Sequence, residues 1–237
     1  MEATASYHRM KELLAAQGEH KIYQAWKRLG IDGQRPTEQR FKIYGLDKLI
    51  GPETAVLDLG CNVGFMSLKC AETAHYVTGI DRYGYWIDIA RLAAQCVEAK
   101  NTRFVTGDAF AFLDGVPASR FDLVLSLSFH HWNEQTFRQY AEVIYKKQLR
   151  DGGYLLFESH KLGPREPFDD YSLILQNIGF ELSAEGTTQC PTNYPRPNPL
   201  RKWHLLQKKK VYADFYEQAS RPGATNGLYD NGRDQNN

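Results

Sequence analysis

The chain has 237 residues, with 29 Lys plus Arg against 28 Asp plus Glu and a hydrophobic fraction of 42%. That length suits one core with appendages rather than two full domains, and the near-zero charge balance offers no global basic excess for nucleic acid or an anionic membrane. The four cysteines, Cys61, Cys70, Cys96 and Cys190, lie far apart, with neither zinc-type pairing nor a disulfide framework, the usage of a reducing cytoplasmic compartment.

The opening MEATASYHRMKELLAAQ lacks the apolar centre of a signal peptide, and nowhere do about 18 uncharged apolar residues follow one another, so no membrane insertion is expected. Up to residue 50, Leu13, Leu14, Ile22, Trp26 and Leu29, then Phe41, Tyr44, Leu46 and Leu49, recur at three-to-four spacing. This predicts a helical cover over 1–50, its third helix opening at Thr37. From Ala55 the pattern changes to short apolar runs between amphipathic segments. It predicts strands over 55–59, 76–80, 102–106, 121–127 and 153–158, and helices over 64–74, 84–99, 134–149 and 168–178. The third of these helices carries Phe137, Tyr140, Ile144 and Gln148 or Leu149 as the stripe needed to cover a sheet. Repeated strand, helix, strand order implies an α/β fold with a mostly parallel sheet covered on both faces. FELSAEGTTQ and RKWHLLQKKK, from 180 and 201, read as two strands with no helix between them, hence an antiparallel end to the sheet. The domain thus runs over 51–212, and the polar tail 213–237 is expected to be disordered.

The stretch AVLDLGCNVGFMSL, residues 55–68, places Asp58, Gly60 and Gly64 at the carboxyl end of a strand, where open parallel sheets bind ligands. Gly60 permits a tight turn, and Gly64 lets the next helix pack close. Asn62 stands where a dinucleotide fingerprint needs its middle glycine, which disfavours NAD and FAD, and no P-loop is present. Asp81 closes HYVTGID about 20 residues on, where a carboxylate can accept from ribose hydroxyls, and Asp108 closes the next strand. Each acid has a plainer reading: Asp58 a turn cap, Asp108 a helix cap, Asp81 a loop acid.

These segments resemble the class I S-adenosylmethionine-dependent methyltransferases. VLDLGCNVGFMSL is similar to motif I, VTGIDRYGYWIDIAR to the ribose-binding strand end, GDAFAF to the adenine side, FDLVLSLSFHHW to the fourth strand and LRDGGYLLFE to the fifth. The resemblance covers residues 54–159 in the family's order. It implies a Rossmann-like seven-stranded sheet, mostly parallel with an antiparallel last strand. S-adenosyl-L-methionine would be the cofactor, contacted by Asp58, Gly60, Cys61, Asn62, Gly64, Asp81, Arg82, Asp108, Ala109 and Ser126, with Phe110 beside the adenine. The pattern, with a late PRP loop, is similar to bacterial glycan methyltransferases and more loosely to RNA 5′-phosphate methyl-capping enzymes.

On the acceptor side, FDLVLSLS delivers His130, His131 and Trp132 to the same edge, and a histidine suits the base that an alcohol acceptor needs. Glu158 and His160 join the rim, without the spacing of a metal motif. Arg40 and Tyr44 in one flanking segment, and Tyr194 and Arg196 in the other, could grip a phosphate or carboxylate. The expected acceptor is a sugar, glycan end, sugar phosphate or small metabolite; a non-catalytic cofactor-binding protein is the reading from another class.

Overall fold

A computed structural model of the chain describes residues 2–16, 18, 22–115, 117–118, 120–129, 137–159, 168–189 and 200–209. Helix α1 (Glu2–Ala16) buries Met10 and Leu14, and Ser6 Oγ donates to Gln95 Oε1 at 2.7 Å, so that α1 lies along α5 (Gly84–Cys96). The helical expectation fails over 22–36. There the chain forms two short extended pieces, β1 (Gln24–Ala25) and β2 (Arg35–Pro36), paired in parallel around a 3-10 turn at Lys27–Leu29. The spacing of Ile22, Trp26 and Leu29 imitates a helix, but Gly30 turns the chain at φ 60° and Gly33 lies against the Gln24 backbone. A Cβ at Gly33 would stand 2.8 Å from the Gln24 carbonyl oxygen, so only glycine admits this pairing. Helix α2 (Thr37–Ile43) opens where expected, followed by α3 (Leu46–Leu49).

The main sheet has seven strands in the order β5-β4-β3-β6-β7-β9-β8. Its members are β3 (Ala55–Leu59), β4 (Tyr76–Asp81), β5 (Thr102–Thr106), β6 (Phe121–Leu127), β7 (Leu149–Glu158), β8 (Phe180–Thr188) and β9 (Arg201–Lys208). β3 to β7 are mutually parallel, and β9 inserts antiparallel between β7 and β8. The expected mixed sheet is therefore present, with the antiparallel strand one place in from the edge. β7 begins at Leu149, earlier than 153, because Leu149 already pairs with Phe121 across a bulge.

Both faces are covered, as a parallel sheet requires. Leu57, Leu59, Val124 and Phe157 pack on the side of α6 (Ala109–Gly115), α7 (Phe137–Val143) and α8 (Phe168–Ile178). Val56, Val77, Leu125 and Leu156 face the other way, toward Phe41, Leu46 and α4 (Phe65–Ala71). Helix α6 has no predicted range, because AFAFLDG is too short to show a period, but the reading of Asp108 as a helix cap holds: its Oδ1 accepts from the Phe110 and Ala111 N–H groups at 2.9 and 3.1 Å. The predicted stripe of α7 is inward, with Tyr140, Ile144 and Gln148 buried, but the helix widens into a π turn at Ile144–Gln148. Among the described residues no helix is long and apolar enough to cross a membrane.

Candidate active site

The strand order reverses between β3 and β6, and crossovers diverge there, leaving a crevice beyond the carboxyl ends of the strands. A cavity of about 550 Å³ occupies it. Strand β3 contributes Gly60 and Asn62 to the wall, β4 contributes Asp81, Arg82 and Tyr83, β5 contributes Gly107, Asp108 and Ala109, and β6 contributes Leu127, Ser128 and Phe129. Four separate strand ends thus converge on one space.

The loop after β3 is held in an unusual backbone. Gly60, Asn62 and Gly64 all have positive φ, 70°, 54° and 72°. A Cβ on Gly60 would lie 2.6 Å from Phe129 Cδ2, and one on Gly64 would lie 2.8 Å from Ala90 Cβ, so both glycines are demanded by close approach. Asp81 ties this loop to β4. Its Oδ2 accepts from the Asn62 N–H and its Oδ1 from the Tyr83 N–H, both at 3.0 Å. Burial raises its pKa, and these hydrogen bonds oppose the rise. Each carboxylate oxygen keeps a further lone pair for a hydroxyl in the cavity.

The remaining cofactor residues expected from the sequence divide. Arg82, Asp108 and Ala109 line the cavity, Asp108 while also capping α6. Asp58, Cys61, Gly64, Ser126 and Phe110 do not. Asp58 is 2% exposed and binds Ser67 Oγ at 2.5 Å, fastening α4 to β3; burial raises its pKa to about 6 against that hydrogen bond. Cys61 is buried behind the loop, with its thiol pushed up by burial. Ser126 Oγ accepts from the Tyr140 hydroxyl at 2.5 Å, and Phe110 packs its ring against Tyr140 in the core.

The opposite end of the cavity is cationic. Arg201 at the start of β9 and Tyr23 ahead of β1 line it, the guanidinium 5.6 Å from the ring centre. Behind them Glu158 is fully buried, not on the rim as expected. Its Oε1 accepts from Arg35 Nη2 at 2.6 Å, Thr188 Oγ1 at 3.0 Å and the Tyr44 hydroxyl. Its Oε2 accepts from Ser128 Oγ at 3.0 Å, Arg201 Nη1 at 3.4 Å and Arg40 Nη2 at 3.5 Å. Burial alone would raise this carboxyl, but Arg40, Arg35 and Arg201 together hold it at about 2. Arg40 and Tyr44, expected to grip the acceptor, are instead buried partners of Glu158 and do not line the cavity. One carboxylate thus faces three guanidinium groups. Burial raises the Tyr23 phenol, yet Arg201, Arg40 and Arg35 outweigh that and lower its pKa.

His130, His131, Trp132, His160, Tyr194 and Arg196 lie outside the described residues. The sequence reading missed Tyr23, Gln34, Tyr83, Trp86 and Ser128 on the wall. Tyr83 and Ser128 carried a usable signal, each within three residues of a predicted strand end. Tyr23 and Gln34 carried none, because only the fold brings their segment to this edge.

Comparison with known proteins agrees with this geometry. A family profile described as "Methyltransferase domain" matches residues 50–214. The chain belongs to this methyltransferase family. Two Escherichia coli proteins named "O-antigen chain terminator bifunctional methyltransferase/kinase WbdD" are 31% identical to the methyltransferase over 211 and 213 residues, 83% of this chain. The chain spans only 29% of the length of these relatives. Among solved structures, the N-methyltransferase NodS of Bradyrhizobium japonicum WM9, in complex with S-adenosyl-L-homocysteine, superposes with a TM-score of 0.59 at 17% identity, covering 86% of this chain and 98% of that one. The [4+2]-cyclase SpnF superposes with a TM-score of 0.58 at 17% identity, covering 84% and 92%. The fold alone therefore does not dictate the chemistry; the family match does.

The cofactor of this methyltransferase is S-adenosyl-L-methionine, and the cavity's donor set fits it. Asp81 and Asp108 are acceptors for hydroxyl and amino groups, the Gly60 turn allows close approach, and Asn62 lines the cavity where a pyrophosphate loop would need glycine. The volume lies in the range of about 300–1,000 Å³ usual for cofactor sites.

Proposed function

We propose that the methyltransferase methylates an oxygen of an anionic acceptor, a sugar phosphate or a phosphate-bearing glycan end. Bound S-adenosylmethionine supplies an electrophilic methyl group on a sulfonium; the chain's part is to hold, orient and deprotonate. Asp81 would hold the ribose, Asp108 and Ala109 the adenine side, and the Gly60–Asn62 turn the amino acid portion. Arg201 would hold the acceptor, with Tyr23 and Ser128 beside it, and His130 or His131, which follow Phe129 in the chain, would take the acceptor proton where that acceptor is an alcohol.

The observation that carries the acceptor class is the guanidinium of Arg201 on the cavity wall, set in a buried cluster with Arg40, Arg35 and Glu158. A guanidinium facing a cavity from a buried position is suited to a phosphate or carboxylate. Arg201, 5% exposed, retains a buried Nε–H with no hydrogen-bond partner among the described residues. The name of the E. coli relatives, a chain terminator with methyltransferase and kinase functions, supports a glycan end.

The test is transfer of labelled methyl from S-adenosylmethionine to matched saccharides with and without a terminal phosphate, the product located by mass spectrometry. Label in the phosphorylated member, with KM raised at least tenfold by Arg201→Met, is expected. Equal labelling of both members, or preference for a neutral acceptor, would overturn the acceptor class. Preferential labelling of a 5′-phosphorylated RNA would favour the capping reading instead.

A further inference from the structure

The glycine loop of the cofactor site is gripped from behind by a residue far away in the chain. Gln24, in β1, is 5% exposed and points at the back of the loop. Its Nε2 donates to the Cys61 carbonyl at 3.1 Å, and its Oε1 accepts from the Phe65 N–H at 2.9 Å. One amide thus spans the loop from its second residue to the first residue of α4. Its neighbour Tyr23 and the facing Gln34 line the cavity, and Arg35, paired with Gln24 across the ribbon, reaches Glu158.

The loop needs such a grip. Asn62 holds a positive φ of 54°, a conformation that asparagine tolerates better than other non-glycine residues but that still benefits from neighbours that fix it. The Phe65 N–H is one of the first amides of α4, which have no partner within their own helix. Asp81 holds the loop from the cavity side through the Asn62 N–H, and Gln24 holds it from the protein side through its two ends. Backbone bonds share the work: the Gly60 and Cys61 N–H groups donate to the Ile80 carbonyl at 2.8 and 3.0 Å, and the Gly64 N–H donates to the Cys61 carbonyl at 3.0 Å, but it is Gln24 that supplies a partner to the Phe65 N–H.

We propose that Gln24 is a positioning residue of the cofactor site: by bridging Cys61 and Phe65 it keeps the Gly60–Gly64 loop in its binding shape, so the ribbon at 22–36 is a built-in part of the site. The proposal rests on the reading of this cavity as the cofactor pocket. Gln24 touches no reacting atom. It acts through the loop, so its loss weakens affinity for the cofactor and its product more than it disturbs the rest of the domain. A carboxylic acid at this position presents the same donor and acceptor pair when protonated, and loses the donor when ionised.

The test compares wild type, Gln24→Met and Gln24→Glu. Calorimetry gives the dissociation constant for S-adenosylhomocysteine at pH 5 and pH 8, and hydrogen exchange of the ligand-free proteins follows the Phe65 amide. Gln24→Met fills the same space with neither bond, and should weaken binding about tenfold at both pH values and speed Phe65 exchange. Gln24→Glu should match it at pH 8 and regain most of the loss at pH 5, measured as a ratio to Gln24→Met so that other titrating groups cancel. Affinity of Gln24→Met within twofold of wild type, unchanged Phe65 exchange, or a pH-independent ratio would each overturn the proposal. If Gln24→Met does not fold, Gln24→Glu against wild type at the two pH values carries the same decision. Wild-type protein that binds no S-adenosylhomocysteine would refute the cofactor reading instead, and exchange at Phe65 would still decide whether Gln24 holds the loop.

Discussion

Glu158→Gln leaves the shape of the buried cluster almost unchanged and removes the charge that three arginines share. The magnitude follows from the carboxyl's position: it is held at about 2 against an ordinary 4.5. At about 1.4 kcal/mol per pKa unit, the ionised form is favoured in the folded protein by about 3 kcal/mol. Breaking buried ion pairs by removing one partner costs about 3–5 kcal/mol, so the two routes agree. Because the folded pKa is depressed, this stability is fully present above 4.5 and is lost as pH falls toward 2. Urea melts at pH 7 should therefore show Glu158→Gln less stable by about 3–5 kcal/mol. The gap to wild type should narrow at pH 3, where unfolded wild type keeps its proton and folded wild type is close to regaining it. Adding Arg35→Met to the variant removes the guanidinium that donates to Glu158 Oε1 and should recover part of the loss, a coupling that a double-mutant cycle reads directly. A loss under about 1 kcal/mol at pH 7, or a gap identical at pH 3 and pH 7, would refute the charge argument.

Three further outcomes are expected. Asp81→Asn keeps the shape of the side chain but removes the charge offered to the cavity, and should weaken S-adenosylhomocysteine binding by about 10- to 100-fold in calorimetry; unchanged affinity would remove Asp81 from the site. Gly60→Ala puts a methyl 2.6 Å from Phe129 Cδ2 at φ 70° and should cost about 1–3 kcal/mol in thermal or urea unfolding, with an unaltered midpoint counting against the close approach. Asp58 behaves oppositely to Glu158: its pKa is raised from 3.8 to about 6, so the stability it contributes is full below 3.8 and lost as pH rises through 6. Wild type should lose about 3 kcal/mol relative to Asp58→Asn between pH 4 and pH 7, and a constant difference across that interval would show that burial does not raise the Asp58 pKa in the folded protein.

Much of the domain is local information. The alternation of apolar runs with amphipathic segments is a property of neighbouring residues, so strands β3 to β6, helices α5 and α8, and the parallel order of the sheet were legible before any coordinates. The strand-end acids were legible for the same reason. A parallel sheet puts every carboxyl end on one edge, so Asp81 and Asp108 had to meet there once their strands were recognised. Gly60 and Asn62 follow from β3 in the same way.

What only the tertiary structure decided concerns residues whose partners are distant in the chain. Burial sorted the acids and arginines: Asp58 and Glu158 turned inward to Ser67 and to Arg35, Arg40 and Arg201, while Arg201 alone of these arginines also reached the cavity wall. Residues 22–36 have a helix-like spacing whose local interruption is Gly30 and Gly33, and those glycines mark a turn without showing what the ribbon touches, because its partners are the Cys61–Phe65 loop and Glu158. Periodicity records which face of a segment is apolar. It carries no record of which remote polar group a buried side chain must satisfy, and that requirement placed Gln24, Arg40 and Glu158.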